Sequence, residues 1–590
     1  MHELLRVEDL SVAFNLPSGR LIAVDGISFR IPRGRIVALV GESGSGKSVT
    51  GQAIMGLLPR NADILGGRIL FDHDEDEATP RIDLAALPRD GRQMQGLRGR
   101  YMSIIFQEPM SALSPLHRIG SQISEVLRQH TPLSPGERQK STLEMLRLTG
   151  FSDPARACKA YPFELSGGMR QRVMIAMALI CRPSLVIADE PTTALDVTIQ
   201  AQILRLLQNL QQQLRMAVLM ITHDLGVVAN IADEVVVMHR GRVMEAGCRE
   251  DIFRRPGHPY LRGLLAAARQ LTAPAAEKTA PGAGGEPLLE VRNVSKHYRG
   301  AANEHPAVED VSFTIPRGAC VALVGESGCG KTTLGKLVLR ALTPDSGRIL
   351  FAGQDVAGLK GLALRDYRAR AQFIFQDPLS SLNPRMTVLE TLREPMIIHG
   401  FGGREAQTER ARELMRLVGL DPAHLMRYPL SFSGGQRQRI VIARALALRP
   451  ELLICDEPVS ALDLSIQAQI LSLLKDLRTR LGLSYLFISH DLAVVQAIAD
   501  HILVMCRGRL VETAFATSLF NRPVHPYTKA LLAAAPKPDI GALLDFQQLD
   551  EERLKEPQFW PMPFTLTAGE SGRMEEIAPD HRVRVGRVFA

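Results

Sequence analysis

The sequence has few cysteines, few aromatic residues and no long hydrophobic run. Its seven cysteines include no C-x-x-C pair, and 5% of its 590 residues are aromatic, so neither a zinc site nor a redox dithiol is predicted. No apolar run reaches the about 18 residues that a membrane-crossing helix needs, and residues 1–6 lack the start of a signal peptide. The 70 basic residues are scattered, so the net charge of +7 does not predict a nucleic-acid partner. We expect a cytoplasmic protein with reduced cysteines.

What the sequence does contain is an internal duplication. A-V-D-G-I-S-F-R-I-P-R-G at 23–34 returns as A-V-E-D-V-S-F-T-I-P-R-G at 307–318. A glycine-rich stretch follows each copy, and its lysines, Lys47 and Lys331, are 284 residues apart. The pairs Ser166 and Ser433, Glu190 and Glu457, and His223 and His490 are each 267 residues apart, which indicates an insertion in the first half between its glycine-rich loop and Gln107.

The duplication divides the chain into four predicted segments. The first repeat spans 1–270 and the second 287–538. Residues 271–286 are rich in Pro, Ala and Gly, so we predict a flexible linker between the repeats. The tail, 539–590, is weakly patterned and receives no predicted role. The acidic run at 72–77, inside the insertion, lacks the spacing of a calcium loop and is interpreted as a solvated loop.

A glycine-rich loop follows an apolar, β-branched run in each half. Residues 41–48 and 325–332 both satisfy G-x-x-x-x-G-K-[ST] before a helical stretch. In such a loop the backbone N–H groups surround phosphates, the lysine adds positive charge, and the final hydroxyl suits Mg²⁺. The residues predicted to bind nucleotide here are Gly41, Ser43, Gly44, Gly46, Lys47 and Ser48, and Gly325, Ser327, Gly328, Gly330, Lys331 and Thr332.

An acidic pair ends a second apolar strand in each half. Asp189 and Glu190 form the first pair, and Asp456 and Glu457 form the second. Carboxylates at the C-terminal end of a parallel strand face the crevice where α/β sheets bind ligands. We therefore assign the aspartates to Mg²⁺ and the glutamates to polarising the attacking water. A helix-capping acid pair is the alternative, and the neighbouring motifs disfavour it.

Two further polar residues follow strands in each half. Gln107 and Gln376 end apolar strands and are predicted to reach Mg²⁺ or water. His223 and His490 end another pair of strands and are predicted to contact the γ-phosphate. A single histidine after a strand is more often a capping or packing residue, but recurrence at the 267-residue offset favours a catalytic role.

A Ser-Gly-Gly segment opens a predicted helix in each half. The surrounding sequences are L-S-G-G-M-R-Q-R at 165–172 and F-S-G-G-Q-R-Q-R at 432–439. A helix N-terminus attracts anions, so each segment is predicted to be a second phosphate-binding element. Its residues are Ser166, Gly167 and Gly168, and Ser433, Gly434 and Gly435.

Together these motifs resemble the ATPase subunits of ATP-binding-cassette (ABC) transporters, over residues 3–265 and 287–535. Phe14 and Tyr298 stand where that family places an aromatic ring that stacks on adenine. The motifs E-P-M-S-A-L-S-P, D-P-L-S-S-L-N-P and two copies of R-P-x-H-P-Y narrow the resemblance to bacterial dipeptide and oligopeptide importers. Those importers usually have two separate ATPase chains. Many also carry a Cys-rich segment after H-P-Y, which is missing here, so no iron–sulfur cluster is expected.

The resemblance implies an α/β fold of two tandem P-loop NTPase (ABC ATPase) domains. Each domain would have a mostly parallel sheet core and a helical subdomain, near residues 110–175 and 380–440. The implied cofactors are ATP and Mg²⁺, and the implied partners are two transmembrane permease subunits and, indirectly, an extracytoplasmic solute-binding protein. The chain would then be peripheral, on the cytoplasmic face of the bacterial inner membrane.

Two functional hypotheses remain at this point. A transport motor is favoured, with both sites hydrolysing ATP and with each site pairing the lysine of one half with the Ser-Gly-Gly of the other. The alternative is a soluble double-cassette ATPase that acts on ribosomes or nucleic acid. It is disfavoured because the linker is short and C-x-x-C pairs are absent. The solute is not encoded here: peptides are the favoured class, while nickel, glutathione and opines move through related systems.

Overall fold

The computed structural model describes residues 2–17, 19–73, 81–108, 112–192, 195–272, 286–298, 306–460, 462–541, 544, 556–567 and 570–586. Most of the predicted linker, part of the acidic run and part of the tail therefore lie outside the described residues. The chain forms two compact units. The first comprises Met1–Leu195, Ile199–Ala268 and Pro536–Phe546, and the second Asp196–Thr198, Arg269–Ala535 and Gln547–Ala590.

A six-stranded sheet forms the centre of the first unit, with the strand order β10-β9-β3-β8-β7-β6. All its neighbouring strands are parallel except β10, which runs antiparallel to β9. Every residue of β3 is buried, as its apolar, β-branched sequence requires of a strand covered on both faces. The strands of the first half are β1 (Glu3–Leu16), β2 (Gly19–Pro32), β3 (Ile36–Val40), β4 (Ala62–Phe71), β5 (Ile82–Asp83), β6 (Met102–Ile105), β7 (Leu185–Asp189), β8 (Ala217–Thr222), β9 (Glu234–His239) and β10 (Arg242–Cys248).

A second, antiparallel sheet of order β2-β1-β4-β5 was not predicted from the sequence. Its strands alternate buried and exposed residues, as expected for a sheet with one covered face. Buried residues of β1, such as Leu5 and Val7, share one core with Val37 and Leu39 of β3 and with Ile54. This sheet therefore covers the helix that follows the glycine-rich loop.

The helices of the first half include a cluster after β6 that confirms the predicted helical subdomain. Local sequence sets where these helices begin: Ser134 and Glu137 form a capping box, and Asp153 accepts a hydrogen bond from the N–H of Arg156. The helices of this half are Lys47–Ile54, Arg92–Leu97, Ile119–His130, Pro135–Leu148, Pro154–Lys159, Gly167–Leu179, Val197–Leu214, Leu225–Ile231, Arg249–Arg254 and Pro259–Thr272, with 3₁₀ turns at Leu84–Ala86 and Pro162–Glu164.

The second unit repeats this plan. A four-stranded antiparallel sheet has the order β12-β11-β14-β15, and an eight-stranded sheet has the order β16-β17-β18-β13-β19-β20-β22-β21. The strands are β11 (Leu289–Lys296), β12 (Val308–Ile315), β13 (Cys320–Val324), β14 (Ser346–Phe351), β15 (Gln354–Asp355), β16 (Ala371–Ile374), β17 (Leu452–Asp456), β18 (Ser484–Ser489), β19 (His501–Cys506), β20 (Arg509–Phe515), β21 (Arg573–Ala578) and β22 (His581–Val585).

The helices of the second half follow nearly the same order as those of the first, with the 3₁₀ turn Pro422–Met426 in the place of helix Pro154–Lys159. Those after β16 form its helical subdomain. They are Lys331–Val338, Gly361–Arg370, Pro378–Ser381, Val388–Ile398, Arg404–Leu417, Gly434–Ala445, Leu464–Leu481, Leu492–Ile498, Ala516–Asn521 and Pro526–Ala534, with 3₁₀ turns at Pro422–Met426, Pro429–Ser431 and Pro557–Phe559. In the part of the chain that the structure describes, no helix is both long enough and apolar enough to cross a membrane.

The described tail residues 556–567 and 570–586 extend the second unit. Strand β22 pairs antiparallel with β20, the last strand of the repeated fold, and β21 pairs with β22. Trp560 is buried in the same core as Tyr527 and Leu531. No role was predicted for the tail, yet its strands β22 and β21 form one edge of the larger sheet.

Candidate nucleotide-binding sites

Each glycine-rich loop connects the C-terminal end of a central strand to a helix. Gly46 and Gly330 cap the N-termini of helices Lys47–Ile54 and Lys331–Val338 with φ of 98° and 107°. A Cβ atom on Gly46 would lie 2.6 Å from the carbonyl oxygen of Ala23, and one on Gly330 would lie 2.0 Å from that of Ala307. Only glycine fits at these positions, because both the backbone angle and the close approach exclude a side chain.

The loop lysines are buried and lie across their own loops. Nζ of Lys47 donates hydrogen bonds to the carbonyl oxygens of Gly41 and Glu42, both at 2.8 Å. Nζ of Lys331 does the same in the second loop, to Gly325 at 2.7 Å and Glu326 at 2.8 Å. The hydrogen bonds hold each buried ammonium inside its own loop, where its positive charge would stabilise a bound anion.

The hydroxyl and the aspartate predicted to bind metal lie together in both units. Oγ of Ser48 donates to Oδ1 of Asp189 at 3.0 Å, and Oγ1 of Thr332 donates to Oδ1 of Asp456 at 3.2 Å. Burial raises the pKa of both carboxyls, and the hydroxyl hydrogen bonds only partly offset this. A divalent cation would keep each carboxylate ionised. One hydroxyl and one carboxylate fit Mg²⁺, which takes few protein ligands when phosphates supply the others.

Three predicted residues meet at the second acidic position of each unit. In the first unit Nε2 of Gln107 donates to Oε2 of Glu190 at 2.8 Å, and Nδ1 of His223 lies 2.9 Å from Oε1. In the second unit Nε2 of Gln376 donates to Oε2 of Glu457 at 2.8 Å, and Nδ1 of His490 lies 2.9 Å from Oε1. The glutamine amide was predicted to reach Mg²⁺ or water and the histidine the γ-phosphate, and here both are held on the glutamate.

The backbone at the two glutamates is strained. Glu190 and Glu457 have φ of 46° and 47°, in the left-handed region that favours glycine. A non-glycine residue is held there only when its surroundings determine its position, and such strain is frequent at active sites. In this conformation each carboxylate contacts the glutamine and the histidine of its unit.

The glutamates shift the ionisation of their histidine partners. In the first unit the hydrogen bond that Nδ1 of His223 makes to the Glu190 carboxylate raises the pKa of this histidine. Burial alone would lower the pKa of His490, but the hydrogen bond and the charge of Glu457 outweigh it and raise that pKa. Burial likewise works against Glu457, yet His490 leaves the pKa of this carboxyl below its ordinary value. The pair therefore favours an imidazolium beside a carboxylate.

The Ser-Gly-Gly segments open exposed helix N-termini. Oγ of Ser166 accepts from the N–H of Met169 at 3.3 Å, and Oγ of Ser433 accepts from the N–H of Gln436 at 3.4 Å. The Ser and the first Gly (Gly167, Gly434) are exposed, whereas the second Gly (Gly168, Gly435) is buried. Within the described residues, these segments share no hydrogen bond with the groups around Glu190 and Glu457. The outward backbone N–H groups are placed to receive an anion.

The two predicted adenine-stacking rings have different surroundings. Phe14, in β1, is partly buried and packs against the core beneath the antiparallel sheet. Tyr298, just after β11, is 50% exposed. Their adenine-stacking role stays a prediction.

Sequence reasoning missed one pair of residues that contact the loops. The Tyr260 hydroxyl accepts a hydrogen bond from the backbone N–H of Glu42 at 3.4 Å, and the Tyr527 hydroxyl accepts one from that of Glu326 at 3.2 Å. Both tyrosines end the R-P-x-H-P-Y motif, which the sequence analysis used only as a mark of resemblance. Their 267-residue separation, the same as that of the catalytic residues, was the available signal.

Two family descriptions match the chain, each of them twice. The description "ABC transporter" matches residues 24–193 and 308–460. The description "Oligopeptide/dipeptide transporter, C-terminal region" matches residues 244–299 and 511–557. The second description covers the H-P-Y motif of both halves.

Characterised relatives resemble the chain over almost its whole length. The glutathione import ATP-binding protein GsiA of Pectobacterium atrosepticum is 45% identical over 565 residues, covering 91% of this chain and 90% of that protein. The protein of the same name from Escherichia coli strain K12 is 46% identical over 562 residues, covering 90% and 89%. One solved structure is a dimeric ATP-binding cassette in a post-hydrolysis state, bound to ADP and Pi. It is 26% identical to this chain, and the match covers 42% of this chain and 98% of that one, with a TM-score of 0.37. The sequence matches, and the two complete sets of nucleotide-site motifs, show that the chain belongs to the ABC transporter family as an ATP-binding ATPase with two cassettes.

Proposed function

We propose that this chain powers a bacterial ABC importer of small peptide-like solutes. The observation that carries the proposal is that both units hold the complete set of lysine, hydroxyl, aspartate, glutamine, glutamate and histidine in matching contacts. A chain used only for binding or regulation has no need of two intact hydrolytic sites. The relatives are named for glutathione import, and the doubled C-terminal region is named for oligopeptide and dipeptide transporters. A short peptide is the solute class common to both names.

The chemistry follows from the residues that meet at each site. The loop and its lysine bind the phosphates, and Ser48 with Asp189, or Thr332 with Asp456, would hold Mg²⁺ with the adjacent glutamine. The metal supplies positive charge that neutralises the β- and γ-phosphates. Glu190 and Glu457 accept a hydrogen bond from the attacking water and increase its nucleophilicity. His223 and His490 hold these carboxylates in position.

We further propose that each site is built from both cassettes. One lysine-bearing loop compensates the γ-phosphate charge from one side only, whereas the exposed Ser-Gly-Gly helix N-termini offer the same compensation from another. In a head-to-tail arrangement, the ATP held by Lys47 would meet Ser433, and the ATP held by Lys331 would meet Ser166. Hydrolysis then removes the γ-phosphate charge that bridges the two halves and lets them separate. This separation would drive the conformational change of the permeases. Fusing the two cassettes in one chain raises the effective concentration of each for the other.

The partners and the location follow from the same proposal. The chain would bind two permease subunits at the cytoplasmic face of the inner membrane, beside the stretches that follow Gln107 and Gln376. An extracytoplasmic binding protein would deliver the solute to those permeases. The soluble double-cassette alternative predicts ribosomes or nucleic acid as partners instead.

The test is affinity purification of the tagged chain from native membranes, followed by uptake assays with the recovered complex. Two multispanning proteins should co-purify. When they are reconstituted with their binding protein in liposomes, ATP should drive uptake of glutathione or a dipeptide. Recovery of ribosomes without any multispanning protein would contradict the transport function. Uptake of a metal ion or a sugar alone would contradict the peptide-like solute class.

A further inference from the structure

The H-P-Y element of each half reaches the nucleotide loop through its tyrosine. The hydroxyls of Tyr260 and Tyr527 accept hydrogen bonds from the N–H groups of Glu42 and Glu326. These glutamates are the second residues of the two glycine-rich loops. The tyrosine therefore holds the loop backbone at the point where it leaves the central strand and starts to wrap the phosphates.

A carboxylate on the last strand of the repeated fold supports each tyrosine from behind. In the first unit Glu245, in β10, accepts from the N–H groups of Gly257 and His258, at 3.0 Å and 2.8 Å. Nδ1 of His258 then accepts from the N–H of Tyr260 at 3.1 Å. The result is a hydrogen-bonded series that runs from Glu245 through His258 to the tyrosine and on to the loop.

The second unit repeats the series with matching residues. Glu512, in β20, accepts from the N–H groups of Val524 and His525, both at 2.9 Å. Nδ1 of His525 accepts from the N–H of Tyr527 at 3.2 Å. Two independent copies of the same contacts indicate that the series is a feature of the fold rather than an accident of one loop.

The two copies differ in what covers them. Glu245, His258 and Tyr260 are all partly accessible to solvent. In the second unit Glu512 and His525 are 0% exposed and Tyr527 is 2% exposed.

The C-terminal tail buries the second copy. Nε2 of His581, in β22, lies 2.8 Å from Oε1 of Glu512. The ring of Trp560 packs edge-on to the His525 ring, with centroids 4.5 Å apart, and the Phe564 ring lies 5.1 Å from it. Burial, reinforced by the nearby charge of Arg584, lowers the pKa of His525 to about 3. The imidazole is therefore neutral at physiological pH, as its acceptor role toward Tyr527 requires.

The tail is itself fixed to the second unit by several charged contacts. Arg507 forms two hydrogen bonds with Glu556, at 2.6 Å and 3.2 Å, and Nη1 of Arg509 donates to the carbonyl oxygen of Glu570 at 2.6 Å. The buried side chain of Arg584 donates to the carbonyl oxygen of Leu510 at 2.6 Å. His581 is thus presented to Glu512 from an ordered support.

We propose that the C-terminal tail positions the second nucleotide loop, with His581, Glu512 and Tyr527 as positioning residues, and so gives the second ATP site a higher nucleotide affinity than the first. The inference rests on the proposed ATPase function. A loop that is already ordered loses less conformational entropy when it binds a ligand. The first loop has the same series with Glu245 and His258 partly accessible to solvent, so it is the comparison within one molecule.

The experiment measures ATP binding at each cassette of the full-length chain separately. The protein is photolabelled with 8-azido-ATP over a concentration series, and proteolysis then assigns the label to the first or the second cassette. His581→Ala should weaken labelling of the second cassette about three- to tenfold, as expected for one lost hydrogen bond in a buried series, and should leave the first unchanged. His581→Gln places an amide N–H near the position of Nε2, so it should restore most of the affinity.

Matched tyrosine variants test the last step of the series. Tyr527→Phe removes only the hydroxyl and should weaken labelling of the second cassette, whereas Tyr260→Phe should weaken that of the first. In steady-state assays His581→Ala should raise the KM for ATP and leave kcat within about twofold, because Glu457 and His490 are not touched.

Several results would overturn the inference. One is an equal loss of labelling at both cassettes in folded His581→Ala protein, and another is no loss at either. A fall in kcat with an unchanged KM would do the same, since it would place His581 in the chemical step. Unaltered protein that shows no ATP-protectable label at either cassette would contradict the ATPase function itself and this inference with it.

Discussion

Nδ1 of His490 lies 2.9 Å from Oε1 of Glu457, and the raised pKa of this histidine makes the pair sensitive to pH. A histidine whose pKa is higher in the folded state than in the unfolded state stabilises the fold fully below its unfolded pKa of about 6.5. That contribution is lost as the pH rises through the higher folded value. His223 and Glu190 form the same pair in the first unit, with the pKa shift of the histidine in the same direction.

The first prediction follows from the upward direction of these histidine pKa shifts. Urea unfolding of the unaltered chain and of the His223→Gln/His490→Gln double variant should differ most at pH 6. The difference should shrink as the pH rises toward 9, because the unaltered chain then loses its imidazolium–carboxylate pairs. A difference that stayed constant, or grew with pH, would show that these histidines are not held protonated by the glutamates.

The second prediction concerns the two glutamates as catalytic residues. Glu190→Gln or Glu457→Gln alone should lower ATP turnover, and both together should lower kcat by roughly 100-fold or more while ATP binding persists. The amide keeps the size of the carboxylate but removes the charge that polarises water. Phosphate-release assays, with equilibrium binding of ATP alongside, measure the two effects. If Glu190→Gln alone abolished turnover while Glu457→Gln left it intact, the two sites would not be equivalent.

The third prediction tests the composite sites by crosslinking. In a background without the seven native cysteines, one cysteine is placed beside Lys47 and another beside Ser433. With Glu190→Gln and Glu457→Gln present to prevent hydrolysis, ATP should promote the crosslink and ADP should not. A pair beside Lys47 and Ser166 is the control and should crosslink less. Equal crosslinking in all nucleotide states would contradict the proposed sandwich.

The fourth prediction uses the close approach of Gly330 to a neighbouring carbonyl. Gly330→Ala should abolish ATP binding at the second cassette and destabilise the fold by more than about 2 kcal/mol, because its Cβ would lie 2.0 Å from the Ala307 oxygen. Gly353→Ala is the matched control: its φ is also positive, at 79°, but nothing lies within 4 Å of the added Cβ. It should cost only the backbone strain, about 1 kcal/mol. Thermal unfolding of both variants measures the difference, and equal costs would show that the close contact is not what requires glycine.

The sequence alone indicated the duplication and the α/β class, and it predicted most of the residues that meet at the candidate nucleotide sites. It could do so because each motif is short, contiguous and placed directly after an apolar run. The loop at 325–332, for example, carries its glycines, lysine and hydroxyl within eight contiguous residues. The spacing of these residues along the sequence therefore already describes the geometry of the loop. The same argument holds for Asp456 and Glu457 at the end of β17.

Only the tertiary structure decided which of these residues touch. Gln107, Glu190 and His223 are separated by 83 and 33 residues along the chain, and they meet because β6, β7 and β8 are neighbours in one parallel sheet. The position of the tail was equally invisible in the sequence. Strand β22 is held on β20 by backbone hydrogen bonds, which leave little mark on residue choice, and His581 reaches Glu512 across 69 residues. Strand pairing over such distances depends on how the whole chain packs, and no local pattern encodes it.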